Sequence, residues 1–130
     1  MTPYRLGGVL LAAATLLATV LAGSASADHP WSALTLTVSP THGAASTVYL
    51  RCRPAGGSHP NPEAACRAVA DAHGDFDNLP HSPQFVACTM EYRPVIASAR
   101  GSWHGHPVRW QHTFANPCTL RADTGVVFAF

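Results

Sequence analysis

Apolar and polar residues alternate strictly in "ALTLTVSP", where Leu34, Leu36 and Val38 are set against Thr35 and Thr37. Successive strand side chains point to opposite faces, so this alternation predicts a half-buried strand with good β-formers on its wet side. "STVYLRC" repeats the pattern, with Val48, Leu50 and Cys52 on one face, and "SPTHGAAS" between the two reads as a turn region. "PVIASARGSW" and "HPVRWQHTF" form two further strand candidates around His104-Gly105, a hairpin signal. In the second of them Val108, Trp110, His112 and Phe114 share a face. "GVVFAF" is apolar on both faces and predicts a central strand at the end of the chain.

One segment changes period. In "EAACRAVADAH", Ala65, Cys66, Val69 and Ala72 recur at near-helical spacing. Asn61 followed by Pro62 supplies an N-cap and a first-turn proline, Glu63 suits the positive helix start, and Gly74 ends the run. These signals predict a helix from about Pro62 to His73. The preceding "RPAGGSHPNP" is a Gly- and Pro-rich loop, and "GDFDNLPHSPQF" has no period. Several strands and one clear helix suit a helix on one face of an antiparallel sheet.

The N-terminus is of another kind. Arg5 precedes the apolar run "LGGVLLAAATLLATVLAG", which ends in the small-residue site Ala25-Ser26-Ala27. This three-part pattern predicts a secretory signal over residues 1–27, with the mature chain starting at Asp28. A membrane anchor would need a stop-transfer flank in place of the cleavage signature. Residues 28–130 then form one domain, with seven arginines, no lysine and seven acidic residues. No basic block points to nucleic acid, no acidic tail points to disorder, and no membrane contact is expected once the signal is gone.

All four cysteines, Cys52, Cys66, Cys88 and Cys118, fall in the mature part. In a secreted small domain an even count implies disulfides, with three possible connectivities, of which nearest-neighbour pairing is the simplest. Each bridge would then stabilise by roughly 3–4 kcal/mol in the loop-entropy treatment.

Little in the chain supports catalysis. There is no G-x-S-x-G, the cysteines are spent on bridges, and Asp75 and Asp77 fall where turn and cap hydrogen bonds are the ordinary role. No enzyme and no cofactor are expected. The alternative, a secreted metal- or ligand-binding β domain, rests on His104, His106 and His112, since zinc favours imidazoles and the even spacing of the last two puts them on one strand face. A third class is recognition by a loop. Met90 stands in the polar segment "CTMEYRP", two residues after Cys88 and four before Pro94, which restricts the backbone. An extended segment anchored at both ends, with one long apolar side chain, has the form of a protease substrate. The competing reading is that Met90 packs inward from a strand.

The chain resembles the Streptomyces-type subtilisin inhibitors, small secreted proteins that block serine proteases. The resemblance lies in "CRPAGGSHPNPEAACRAV" (Cys52, Pro54, Gly57, His59, Pro60, Ala65, Cys66), in "CTMEYRPV", in "FANPC" with Phe114, Asn116 and Cys118, in the terminal "VFAF" and in "SALTLTV". It spans nearly all of the mature chain. Arg67, Val69, Thr89 and Glu91 depart from the family's preferences, the last two within the reactive loop. The resemblance implies an α+β fold: a five-stranded antiparallel sheet with two helices packed on one face, two disulfides Cys52–Cys66 and Cys88–Cys118, and a two-fold homodimer. The second helix would come from near "DFDNLP". The reactive bond carries over onto Met90–Glu91, with Ala87, Cys88, Thr89 and Tyr92 as neighbouring loop contacts and Asn116 bracing the loop from behind. The implied partners are extracellular, subtilisin-like or chymotrypsin-like serine proteases.

Overall fold

The computed structural model describes residues 31–82 and 87–130, together with Pro3. The expected signal segment and the start at Asp28 lie outside the described residues. Four long strands follow the alternating segments: β1 (Ser32–Pro40), β2 (Ser46–Cys52), and, after a two-residue β3 (Gly56–Gly57), β4 (Val95–Trp103) and β5 (His106–Phe114). They form one five-stranded sheet in the order β3-β2-β1-β4-β5, antiparallel at every pairing. The fold class is therefore the expected one.

Register follows the hydrophobic pattern. Leu34 pairs with Leu50 and Leu36 with Val48 across β1 and β2, while Leu36 faces Ala99 across β1 and β4. A slip by one residue would turn the whole apolar set to water, so the buried face fixes the pairing. Leu34, Leu36, Leu50, Val95, Ala97, Ala99 and Val108 are all buried on that face.

Helix α1 (Pro62–Asp71) packs there through Ala65, Ala68 and Val69. Its start is the one read from sequence: the Asn61 side chain accepts from the Ala64 amide, with Pro62 at the first helical position. The bridge Cys52–Cys66 ties α1 to the end of β2.

Two expectations are corrected. The second helix is not at "DFDNLP", where Phe76–Asn78 makes only a short 3-10 turn. It is α2 (Pro117–Thr124), capped by Asn116 and burying Leu120 and Thr124. The Phe76 turn is too short to be the helix because Asp75 closes it locally: its side chain accepts from the Asp77 amide and from Asn78 Nδ2. Nor is "GVVFAF" a central strand. Gly125–Phe128 is a 3-10 helix that packs against α1 and α2, with Val127 and Phe128 both fully buried. Burial against helices satisfies the same apolar run that a central strand would. The fifth strand is instead the glycine pair on the far edge.

The tail is held by His59, one of the residues of the cysteine motif. Its buried ring accepts from the Asn61 amide at Nδ1 (3.0 Å), so Nε2 carries the proton and donates to the Val127 carbonyl (3.0 Å). Phe76, Trp110 and Phe128 pack together, with ring centroids 5.6–6.2 Å apart.

Candidate functional site

The segment Cys88–Pro94 leads into β4, and residues 115–118 continue from β5 beside it. The strands stop pairing at Val95 and Phe114. Beyond that point the two backbones are joined by other means. The Arg93 amide donates to the Ala115 carbonyl at 2.8 Å. Asn116 Nδ2 donates to the carbonyls of Glu91 (2.8 Å) and Thr89 (3.1 Å). Cys88 is bridged to Cys118. Residues 88, 89, 91 and 93 are thus all gripped from the single turn 115–118. On the other side, the Thr41 amide and hydroxyl both donate to the Pro94 carbonyl, at 3.2 and 2.7 Å.

What is left ungripped projects outward. Met90 is 98% exposed and Tyr92 79% exposed. The inward-packing reading of Met90 is therefore incorrect. Its flanks, Thr89 and Glu91, cannot bury a face, so no core is available to it. Ala87 and Thr89 are also exposed, and Cys88 is half-buried by its bridge. An exposed apolar side chain on a multiply tethered backbone is displayed at little ordering cost to a partner, because its backbone is already held.

Asn116 is the centre of the arrangement. It is 3% exposed and it caps α2 while bracing the loop. Its Oδ1 accepts from the Thr119 amide (2.9 Å), which is an obligatory donor and so fixes which side of the amide carries the nitrogen. Both Nδ2 hydrogens then face loop carbonyls, one on each side of Met90. Extended backbone at Asn116 (φ −162°, ψ 170°) lets the side chain lie between helix and loop. The only charges near Met90 among the described loop residues are Glu91 and Arg93, whose carboxylate and guanidinium stand 3.8 Å apart, both well exposed. Such a pair contributes little to stability.

The structure does not assemble the histidine alternative. Among the described residues no three His, Cys, Asp or Glu side chains group as a metal site. His106 and His112 do share a face of β5, but the six residue steps between them span about 20 Å of strand. His104 lies in the hairpin turn with its ring stacked on Trp103 at 4.6 Å, and the His112 ring packs on Phe114 at 4.6 Å. Asp75 serves as the turn acceptor, receiving the Asp77 amide, while the Asp77 carboxylate receives the Trp110 indole N–H at 2.8 Å.

Three positions escaped the sequence reading: Thr41, Ala115 and Thr119. Thr41 and Ala115 act wholly or partly through backbone atoms, which carry no residue signature. Thr119 was legible in principle, since it stands three residues after Asn116, and the pair Asn116-Pro117 could have been read as a helix start, as Asn61-Pro62 was.

The family described as "Subtilisin inhibitor-like" matches residues 15–116. A subtilisin inhibitor of Streptomyces violaceus is 40% identical over 131 residues, covering 91% of this chain and 90% of the relative. A subtilase-type protease inhibitor of Streptomyces fradiae is 42% identical over 135 residues, covering 95% and 93%. Among solved structures, Streptomyces caespitosus sermetstatin, in complex with Bacillus licheniformis subtilisin, superposes with a TM-score of 0.65 at 34% identity, covering 77% of this chain and 99% of that one. The chain belongs to the subtilisin inhibitor-like family.

Proposed function

We propose that this protein is a secreted inhibitor of subtilisin-like serine proteases, acting through a substrate-like loop whose scissile bond is Met90–Glu91. The observation that carries this reading is the pair of hydrogen bonds from Asn116 Nδ2 to the carbonyls of Thr89 and Glu91, which bracket the exposed Met90. Family membership adds protease inhibition rather than catalysis as the expected activity, and sermetstatin's complex with subtilisin supplies the protease class.

The loop would add its extended backbone to the protease cleft, with Ala87, Cys88 and Thr89 pairing through main-chain bonds and Met90 entering the S1 pocket. Val86, expected to extend that pairing, lies outside the described residues. An unbranched thioether suits an apolar pocket and offers no charge to an acidic one. After attack on the Met90 carbonyl, the new amine at Glu91 stays near the acyl group: Asn116 holds the Glu91 carbonyl, and Ala115 and Thr41 hold Arg93 and Pro94. The tethered amine is a leaving group at high effective concentration, so religation outruns hydrolysis. Tyr92, exposed beyond the bond, contacts the primed side of the cleft. Chymotrypsin-like enzymes, which also have apolar S1 pockets, are secondary targets.

The reading includes removal of residues 1–27 as a signal peptide, action outside the cell, and a two-fold homodimer, which sedimentation equilibrium would detect as a doubled mass. The functional test is titration of subtilisin activity with the protein, with and without a chelator. Stoichiometric loss of activity indifferent to chelator supports the loop. No inhibition, with a stable zinc complex instead, would replace it by the histidine reading.

A further inference from the structure

Asn116 and the loop hold each other through its Nδ2 and the Thr89 and Glu91 carbonyls, which are themselves on an exposed segment. The Asn116 side chain hangs from a single Cβ, and an asparagine amide turns broadly about its last torsion. For both Nδ2 hydrogens to meet two carbonyls, the residue has to be fixed from behind. The Leu120 amide donates to the Asn116 carbonyl (3.2 Å), and three further contacts come from one residue. The Thr119 amide donates to Asn116 Oδ1 (2.9 Å), the Thr119 hydroxyl accepts from the Asn116 amide (3.2 Å), and the same hydroxyl donates to the Asn116 carbonyl (2.9 Å). The hydroxyl thus uses its one hydrogen and one lone pair on the two backbone groups flanking the Asn116 side chain.

The geometry points to Thr119 as a positioning residue for the reactive loop, acting through Asn116 and not by touching a protease. This inference rests on the proposed inhibitory reading and deepens it. The first turn of α2 holds the loop through two separate routes: the covalent one at Cys118 to Cys88, and the polar one from Thr119 through Asn116 to Thr89 and Glu91. The bridge limits how far the loop can move. The polar route sets the orientation of the peptide units on either side of Met90. Loss of the second leaves a loop still attached but no longer aligned, so religation suffers more than initial binding.

A β-branched side chain at 119 fits the role. Only two of its χ1 wells are well populated in a helix, and a hydroxyl in one of them reaches back toward the preceding turn. Valine keeps the shape and the backbone bond to Oδ1, and removes only the hydroxyl. Serine keeps the hydroxyl and loses the methyl group.

The test compares wild type with Thr119→Val and Thr119→Ser. The first readout needs no protease: hydrogen exchange and line width of the Asn116 side-chain NH2 resonances. Thr119→Val should speed that exchange by roughly tenfold, the factor a hydrogen bond with a buried partner is typically worth, and Thr119→Ser should restore it. The second readout is cleavage of Met90–Glu91 by catalytic amounts of subtilisin, well below the melting transition. Thr119→Val should be cut roughly tenfold faster than wild type at similar initial inhibition, with Thr119→Ser close to wild type. A merely structural role would lower the melting temperature of Thr119→Val while leaving both readouts at wild-type values, and that result overturns the inference. If wild type fails to inhibit at all, the inhibitory reading falls and the inference falls with it, whatever the resonances show. If wild type inhibits and Thr119→Val matches it in exchange and cleavage, the inference alone falls.

Discussion

Replacing Asn116 by serine separates the two duties of that residue. Serine is an N-cap of about the same rank as asparagine, so α2 keeps an acceptor for its first-turn amides. It has no amide nitrogen, so the bonds to Thr89 and Glu91 are lost. A neutral hydrogen bond contributes about 0.5–1.5 kcal/mol net. Thr89 and Glu91 are exposed, so water can take over their carbonyls, and the lower half of that range applies. The pair is then worth about 1–2 kcal/mol, or roughly 5–30-fold in an equilibrium or rate at 1.4 kcal/mol per tenfold. The assay is paired: the inhibition constant against subtilisin, and the appearance of the Met90–Glu91 cut by mass spectrometry over hours. Circular dichroism confirms that α2 persists. Asn116→Ser should weaken inhibition or speed cleavage within that range with helix content kept. Wild-type values for both constants, in a variant that keeps its helix, would refute the bracing argument.

Met90→Lys should move inhibition from subtilisin toward trypsin-like enzymes, because a lysine at that position can meet a carboxylate at the base of S1; inhibition constants against both enzymes measure it. Removing the Cys88–Cys118 bridge, which closes a 30-residue separation, should cost roughly 3–4 kcal/mol of stability in denaturant titration and turn the protein into a substrate cut at Met90–Glu91. Glu91→Val should tighten subtilisin inhibition by about 1 kcal/mol, since a carboxylate next to the scissile bond loses hydration on binding; weaker inhibition would mean that the protease offers Glu91 a basic partner. Gly101→Ala should destabilise the sheet by more than about 1 kcal/mol in thermal unfolding, because a Cβ there would overlap the Ala33 carbonyl and φ is +139°.

The parts of this fold that could be read from the chain are those where burial has a period. β1, β2, β4 and β5 alternate, and α1 combines a helical stripe with the Asn61-Pro62 start, so these elements fall close to where the pattern places them. The Gly56–Gly57 strand has no side chains to show a period. The terminal "GVVFAF" illustrates the opposite difficulty: a short run buried on all sides has no polar face, so a central strand and a 3-10 turn packed under two helices read alike. Helix α2 is brief and its stripe weak, and the resemblance drew the second helix to "DFDNLP". The Asn116-Pro117 pair repeats the start signal of α1 and could have placed it.

For the site, Met90 stood out as an apolar residue without apolar neighbours. Its exposure follows from the same fact. The supports were legible only where a side chain makes them: Cys88, Cys118 and Asn116 were named from sequence, while the Ala115 and Thr41 contacts depend on how β1, β4 and β5 end relative to one another. That relation is set by sheet register across more than fifty residues of chain (Thr41 to Pro94), and no local pattern encodes it.

In the proposed mechanism the Met90–Glu91 bond reseals because its ends stay tethered. The most direct measurement is to isolate the form cut at Met90–Glu91, return it to catalytic subtilisin, and follow the intact mass. Intact chain should reappear to an equilibrium mixture, and the cut form, its disulfides unbroken, should still inhibit. A cut form that stays cut and inert, or a protease-bound protein whose only cleavage lies elsewhere in the chain, would contradict this mechanism.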